Sequence, residues 1–191
     1  MSINELREIV DNGLNKLEMR INPQIKNYII NFSQGFPHYT HLLTKYAAKS
    51  ALYMDKNLIN QDHFDKAITE AIDNASESIR NSYQKAVLTT RKQSMFELVF
   101  SACALVNEDE HGTFRAKDLE APLSQLIGNR IKLQAYAYHL GKLCQEERGA
   151  VLQKVGLSKQ HRYRFKNPLL KAFITLKLYQ TRKLVAASWH V

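Results

Sequence analysis

Five residues at the head of a short helical stretch carry side chains that can grip or read a polyanion: Arg130, Lys132, Gln134, Tyr136 and His139. Arginine or lysine can donate twice to the acceptor edge of guanine, and glutamine can exchange two hydrogen bonds with adenine. Histidine can meet a phosphate or a base edge. A second group, Lys159, Gln160, His161 and Arg162, lies in and beside a loop between two stretches of alternating apolar and polar residues, with Arg164 just beyond it. Donors in such a loop suit phosphates or a minor groove. Plainer readings stand beside these. Tyr136 and Tyr138 also suit packing within a helix, and Arg164 and Lys166 also suit the solvated outer face of a strand.

Charge distribution supports a polyanion partner. The 191-residue chain carries a net charge of +9, and residues 1–90 hold 10 basic and 10 acidic residues. The whole excess therefore lies beyond residue 90, where 17 basic residues meet 8 acidic ones. From Arg148 to Val191 there are ten basic residues and no acidic one. Solvated surfaces ordinarily mix both signs, so a one-signed stretch favours nucleic acid, against the alternative of a merely soluble basic tail.

The elements that must hold these residues can be read from periodicity and punctuation. A first helix carries Ile3, Leu6, Ile9, Val10, Leu14 and Leu17 on its inner stripe, with Gly13 weakening it. Asn22-Pro23 opens a second helix with Ile25, Tyr28, Ile29 and Phe32. Ser33-Gln34-Gly35-Phe36-Pro37 ends it, with Gly35 as a left-handed cap, and a third helix from near Pro37 shows Leu42, Leu43, Tyr46, Ala47, Ala51 and Leu52. A fourth, from Gln61, shows Phe64, Ala67, Ile68, Ala71 and Ile72. These make a small antiparallel bundle over residues 1–74. Residues 75–92 read as a connecting helix and linker, with a boundary near Thr89-Thr90. Residues 93–191 form a second domain.

That second domain has an apolar helix over Gln93–Val106, an extended piece at Thr113-Phe114-Arg115, and a helix opening at Lys117-Asp118. A break at Gly128-Asn129 follows, then a helix Ile131–Cys144 with Ile131, Ala135, Tyr138 and Leu143 inward. Strands Gly149–Gly156 and His161–Lys166 and a last helix after Asn167-Pro168 complete it. Helix, strand, helix, turn, helix and hairpin in this order predict a winged helix, so the fold class is mainly α with one small β-hairpin. In such a domain the second helix of the helix-turn-helix enters the major groove of double-stranded DNA. A helix-turn-helix also serves for protein–protein contact.

Two stretches resemble a known class. FSQGFPHYTHLLTKYAAKSAL, within Asn22–Ala51 and just beyond, resembles the lid subdomain of AAA+ ATPases of the origin-recognition and replication-initiator type. RYRFKNPLLKAFITL at 162–176 resembles the strand-to-helix junction closing the winged helix in that class. The resemblance covers about residues 3–180. It implies the C-terminal region of a longer ATPase whose nucleotide-binding core precedes residue 1, with ATP or ADP and Mg bound in the parent protein. Partners would be the AAA+ core of the same parent chain, double-stranded DNA and other subunits of an oligomer. It also implies a nucleotide-sensing "sensor 2" position at His38, where the class usually has arginine. Imidazole is a weaker phosphate ligand than guanidinium, so either sensing is altered or His38 is a polar residue on an exposed helix start.

Other chemistry lacks support. Nothing matches a phosphate-binding Gly-x-x-x-x-Gly-Lys-Ser/Thr loop, so the chain alone is expected not to hydrolyse ATP. His38 and His41 have the spacing of a metal pair but no third ligand, and no metal is expected. Glu108-Asp109-Glu110 lacks the spacing of a calcium loop and reads as solvated. Cys103 and Cys144 read as buried thiols of a reducing cytoplasm, and no apolar run is long enough for a membrane span. Two alternatives to the DNA-binding ATPase region stay open: a winged-helix interaction module of a signalling or defence-type ATPase, and a stand-alone winged-helix transcription factor, which Met1-Ser2 as a natural start would favour.

Overall fold

The structure, a computed structural model, describes residues 1–89, 94–157 and 160–181. It is mainly helical with two small sheets. The chain divides into two compact units: Met1–Ala75 joined by the chain from Leu176, and Ser76–Thr175. The connecting helix thus belongs to the second unit, and the first unit recruits residues more than a hundred positions away.

Capping residues explain where the helices of the first unit begin. Helix α1 (Ile3–Asn15) starts at Ser2, whose hydroxyl accepts from Glu5 N while the Glu5 carboxylate accepts from Ser2 N at 2.7 Å. This reciprocal arrangement satisfies two donors that the first turn leaves unpaired. Helix α2 (Pro23–Phe32) follows strand β1 (Arg20–Ile21) and is capped by Asn22 Oδ1. Helix α3 (Pro37–Tyr53) leads to strand β2 (Leu58–Ile59), and α4 (Gln61–Asp73) starts at Asn60, which exchanges hydrogen bonds with His63. Strands β1 and β2 pair in parallel, Arg20 with Leu58 and Ile21 with Ile59, a link between the two interhelix loops that the sequence does not announce.

The core of this unit departs from the expected stripes in an informative way. Leu6, Val10 and Leu14 are buried on α1, but Ile3 and Leu17 at its ends are about half exposed, at 50% and 51%. On α3 the buried residues include Tyr39, Leu43, Ala47, Ala48 and Ala51, whereas Leu52 is 55% exposed. Alanines on α3 face a matching stripe on α4, where Ala67 and Ala71 are fully buried beside Phe64 and Ile68. Small side chains let these two helix backbones approach closely. Tyr179, beyond Leu176, closes the core: its ring meets Phe32 at 5.1 Å and Phe64 at 5.7 Å, and its hydroxyl donates to Asp65 at 2.6 Å.

In the second unit, helix α5 (Glu77–Val87) buries Ile79 and Ala86 and sets Tyr83 between Phe100 and Phe173. Helix α6 (Met95–Leu105) is buried almost all round, as a central helix should be. Strand β3 (Phe114–Arg115), a 3-10 turn (Ala116–Leu119), α7 (Glu120–Ile127), α8 (Leu133–Lys142), a second 3-10 turn (Glu146–Arg148), β4 (Leu152–Val155), β5 (Arg162–Phe165) and α9 (Leu169–Gln180) complete the order. The sheet runs β3-β5-β4, antiparallel throughout, so the extended piece before α7 becomes a third strand beside the expected hairpin. Phe114, Tyr163 and Phe165 point inward, with Phe165 against Phe100 at 5.8 Å. Cys103 is buried, but Cys144 is only half-buried. Among the described residues no helix is long and apolar enough to cross a membrane.

Gly13 sits inside α1 with no atom within 4 Å of the place its Cβ would occupy. Gly13→Ala is expected to stabilise the protein by up to about 1 kcal/mol, the helix-propensity difference alone, seen as a higher urea midpoint with an unchanged slope.

Candidate nucleic-acid interface

The turn before α8 is fixed by side chains of α7. Gly128 takes the left-handed conformation, φ 80°, that lets the chain reverse. Ile131 N then donates to Ser124 Oγ at 3.0 Å, and Leu133 N to Glu120 Oε1 at 3.3 Å. Lys132, the N-cap, gives no side-chain cap of its own. Glu120 therefore does that work from the neighbouring helix, and its negative charge suits the positive end of α8. Two side chains of α7 thus set where the backbone of α8 begins.

Helix α8 is rotated relative to the expectation. Its buried residues are Tyr136 and Leu140, continued by Leu143, while Ala135 is exposed and Tyr138 is 65% exposed. Tyr136, expected to face outward, is fully buried, and its hydroxyl donates to Ala116 O at 2.7 Å. Burial pushes its phenol up to about 12. A ring this large gains more from burial than Ala135 would, so the helix turns to take it in. Tyr136 is a core residue and not an interface residue. His139 is also drawn aside: its ring meets Phe96 edge-on at 4.8 Å, and the Arg148 guanidinium stacks over the same Phe96 ring at 3.8 Å. Burial, and then Arg148, hold its pKa below the usual imidazole value. That leaves Arg130, Lys132 and Gln134 exposed at the head of α8, joined by Tyr138.

The hairpin sorts its cations by neighbour. Arg162 is half-buried, donates to the Thr113 hydroxyl and carbonyl, and pairs with Asp109 at 2.8 Å. It ties β5 to the loop before β3 and is not an open donor. Arg164 is exposed and rests on Gln153, its partner in register, with 3.2 Å and 3.1 Å hydrogen bonds. Gln160 and His161 are exposed, and Lys159 lies outside the described residues. Arg115, which sequence reasoning passed over, is exposed in β3 directly opposite Arg162. Alternation along Thr113-Phe114-Arg115 could have found it, given that the piece pairs with β5. Lys171 and Lys166, from the acid-free segment, meet Glu108 at 2.9 Å and Glu146 at 3.8 Å.

Asp109 is the hub of its loop, which is not the freely solvated turn expected. Its carboxylate accepts from Thr113 N at 2.8 Å, the Thr113 hydroxyl at 2.7 Å and His111 N at 3.1 Å. Those hydrogen bonds, led by Thr113, and then Arg162 lower its pKa from the ordinary 3.8 to about 2. In the first unit, His38 is the second residue of α3, exposed, with its ring edge-on to Tyr39 at 5.4 Å. Among the described residues no group of three His, Cys, Asp or Glu is arranged to hold a metal ion.

A depressed carboxylate stabilises the fold above its unfolded pKa and loses that contribution as pH falls through the folded one. The stability gap between the native chain and Asp109→Asn should therefore be full above pH 3.8 and close as pH falls towards about 2, read by thermal melting. Tyr136→Phe should cost about 0.5–1.5 kcal/mol of stability, one buried hydrogen bond, and leave any nucleic-acid affinity unchanged.

Compared with known protein families, with curated proteins and with solved structures, the chain matches none.

Proposed function

We propose that the second unit is a winged-helix domain that holds double-stranded DNA. On this reading, α8 enters the major groove with Lys132 and Gln134 leading, and Arg130 and Arg164 meet phosphates. The observation that carries it is the survival of exposed donors on α8 and on the outer face of the sheet after the core has taken Tyr136 and the Asp109 loop has taken Arg162. Arg115 extends that sheet face, opposite Arg162 in register. Phosphate contacts of this kind supply affinity without sequence preference, and the α8 donors supply what base reading there is.

The larger frame follows from the resemblance of FSQGFPHYTHLLTKYAAKSAL to an AAA+ lid. In it the first unit is the lid of an ATPase whose nucleotide-binding core lies elsewhere in the parent protein. His38, exposed on the first turn of α3, is compatible with a sensing position in that frame. One observation favours the second reading, a protein-facing helix-turn-helix: Tyr138 is 65% exposed on α8 beside Ala135 and Ala137, which are also exposed.

Fluorescence anisotropy with labelled duplex DNA across a salt series separates the two. Binding should weaken linearly in log K against log salt. Lys132→Ala, Arg164→Ala and Arg115→Ala should each make that line shallower, by about 0.9 for every phosphate the variant no longer neutralises. Arg162→Ala should instead lower the melting temperature. Absence of binding at about 50 mM salt, where phosphate contacts are strongest, would sink the DNA reading and leave the protein-facing one.

A further inference from the structure

The first unit carries a groove between α1 and α3 that nothing in the nucleic-acid reading uses. Its volume is about 530 Å³, within the range of ligand-binding clefts. Ile9, Leu14 and Leu17 line one wall, and Ala48 and Leu52 the other. Gly13 lies in the α1 wall, and a side chain there would meet nothing within 4 Å. Glycine inside a helix is unfavourable, and here no close backbone contact compensates for it. What Gly13 does provide is width. On the opposite wall Thr44 is 6% exposed, and its hydroxyl has no hydrogen-bond partner among the described residues. Buried hydroxyls are ordinarily satisfied, so this one marks a place where the fold by itself is incomplete.

The rim of the groove is basic. His41, Lys45 and Lys49 line it at four-residue spacing on α3, all exposed, and no carboxylate lines it. Four-residue spacing stacks them along one face for about 12 Å, two helical turns. Lys45 has no carboxylate partner among the described residues, and Lys49 has a long 3.3 Å contact with Glu70. The apolar lining is itself open to solvent: Leu17 is 51% exposed, Leu52 55% and Tyr53 90%. Along α3 the lining runs from His41 to Tyr53, about 18 Å at helical rise, longer than a small ligand needs.

We infer that this groove receives an acidic amphipathic helix of a partner protein. Its apolar stripe would seat between α1 and α3 over Gly13, and its carboxylates would meet His41, Lys45 and Lys49. A furrow between two packed helices is the shape a third helix fills. Two lysines one turn apart, with the His41 imidazole a further turn along the same face, match acids repeated at helical spacing. This inference is independent of the DNA reading, which concerns the other unit.

The test uses the full chain and a fluorescein-labelled synthetic peptide of about 16 residues, near the length at which isolated helices become stable. It carries leucines at helical spacing flanked by glutamates. The peptide should bind, and Gly13→Leu should weaken it at least about tenfold by filling the groove, the scale on which overpacking acts. That variant should fold, because leucine is a better helix former than glycine and has open space to enter; circular dichroism checks it. Lys45→Glu with Lys49→Glu should weaken the glutamate peptide and improve a version carrying lysines in place of glutamates. Peptide affinity unchanged by Gly13→Leu would overturn the inference. So would dodecanoate binding in the groove when the peptide does not, which would show a small-molecule site. Sedimentation showing a dimer that Gly13→Leu dissociates would overturn it too, because the occupant would then be a second copy.

Discussion

Burial of one ring sets the chemistry that helix α8 can offer. Tyr136 is fully enclosed and its hydroxyl is tied to Ala116 O. Turning α8 by one residue, about 100°, would expose that ring and strand the phenol without its acceptor. The rotation is therefore fixed by a hydrophobic gain and a hydrogen bond acting together. Everything outward on α8 follows from it. Gln134 and Tyr138 flank the ring in sequence and must face away from it, Leu140 and Leu143 fall on the inner side, and His139 is left at the margin against Phe96. Glu120 and Ser124 fix the start of the same helix, so its rotation and its origin are both set by contacts within the unit.

Charge is sorted by the same competition between internal and external partners. Counted along the sequence, the chain beyond Arg148 is one-signed. In three dimensions, acids from earlier segments reach into it: Glu108 holds Lys171, Asp109 holds Arg162, and Glu146 lies near Lys166. These pairings are not equivalent. Lys171 and Glu108 are largely withdrawn from solvent, so their attraction is little screened, whereas the Lys166 contact is long and exposed and contributes little. Net charge thus overstates the cationic surface. The surface that matters is what remains after the loop around Asp109 has taken its share.

Much of this architecture could be read from residue order. Cap signatures such as Asn22-Pro23 and the regular stripe Phe64, Ala67, Ile68, Ala71, Ile72 give helix identity and phase, because one face is strongly apolar and the other strongly polar. Helix α8 resists the same reading, since tyrosine is both apolar and polar and two tyrosines lie two positions apart. Periodicity cannot say which is inside; tertiary packing decides. The parallel pairing of β1 with β2 was equally hidden, since two residues are too short to show a period and their partner lies 38 positions away. Asp109 read as one acid among three. Its distinct role depends on Thr113, four residues on, and on Arg162, far along the chain.

Local rules are broken at several places, and two groups of these breaks fall on the surfaces described above. Sequences generally agree with their fold at every level, and departures mark sites where something other than stability is served. In the second unit they surround α8: an N-cap without a side-chain acceptor of its own, a buried His139 Nδ1 with no hydrogen-bond partner among the described residues and an exposed Tyr138. In the first unit they surround the α1–α3 groove: a glycine within a helix, a Thr44 hydroxyl with no hydrogen-bond partner among the described residues and an exposed Tyr53. The two sets differ in kind. Around α8 the polar donors stand on a helix whose inner face is filled by Tyr136, Leu140 and Leu143, the kind of support the proposed DNA contact would need. Around α3 the incompleteness is in the packing itself, with empty width where a side chain would fit, so that surface is suited to an apolar insert. The proposed DNA contact and the proposed helix groove thus draw on different physical features, donors on a filled helix in one unit and empty width between helices in the other.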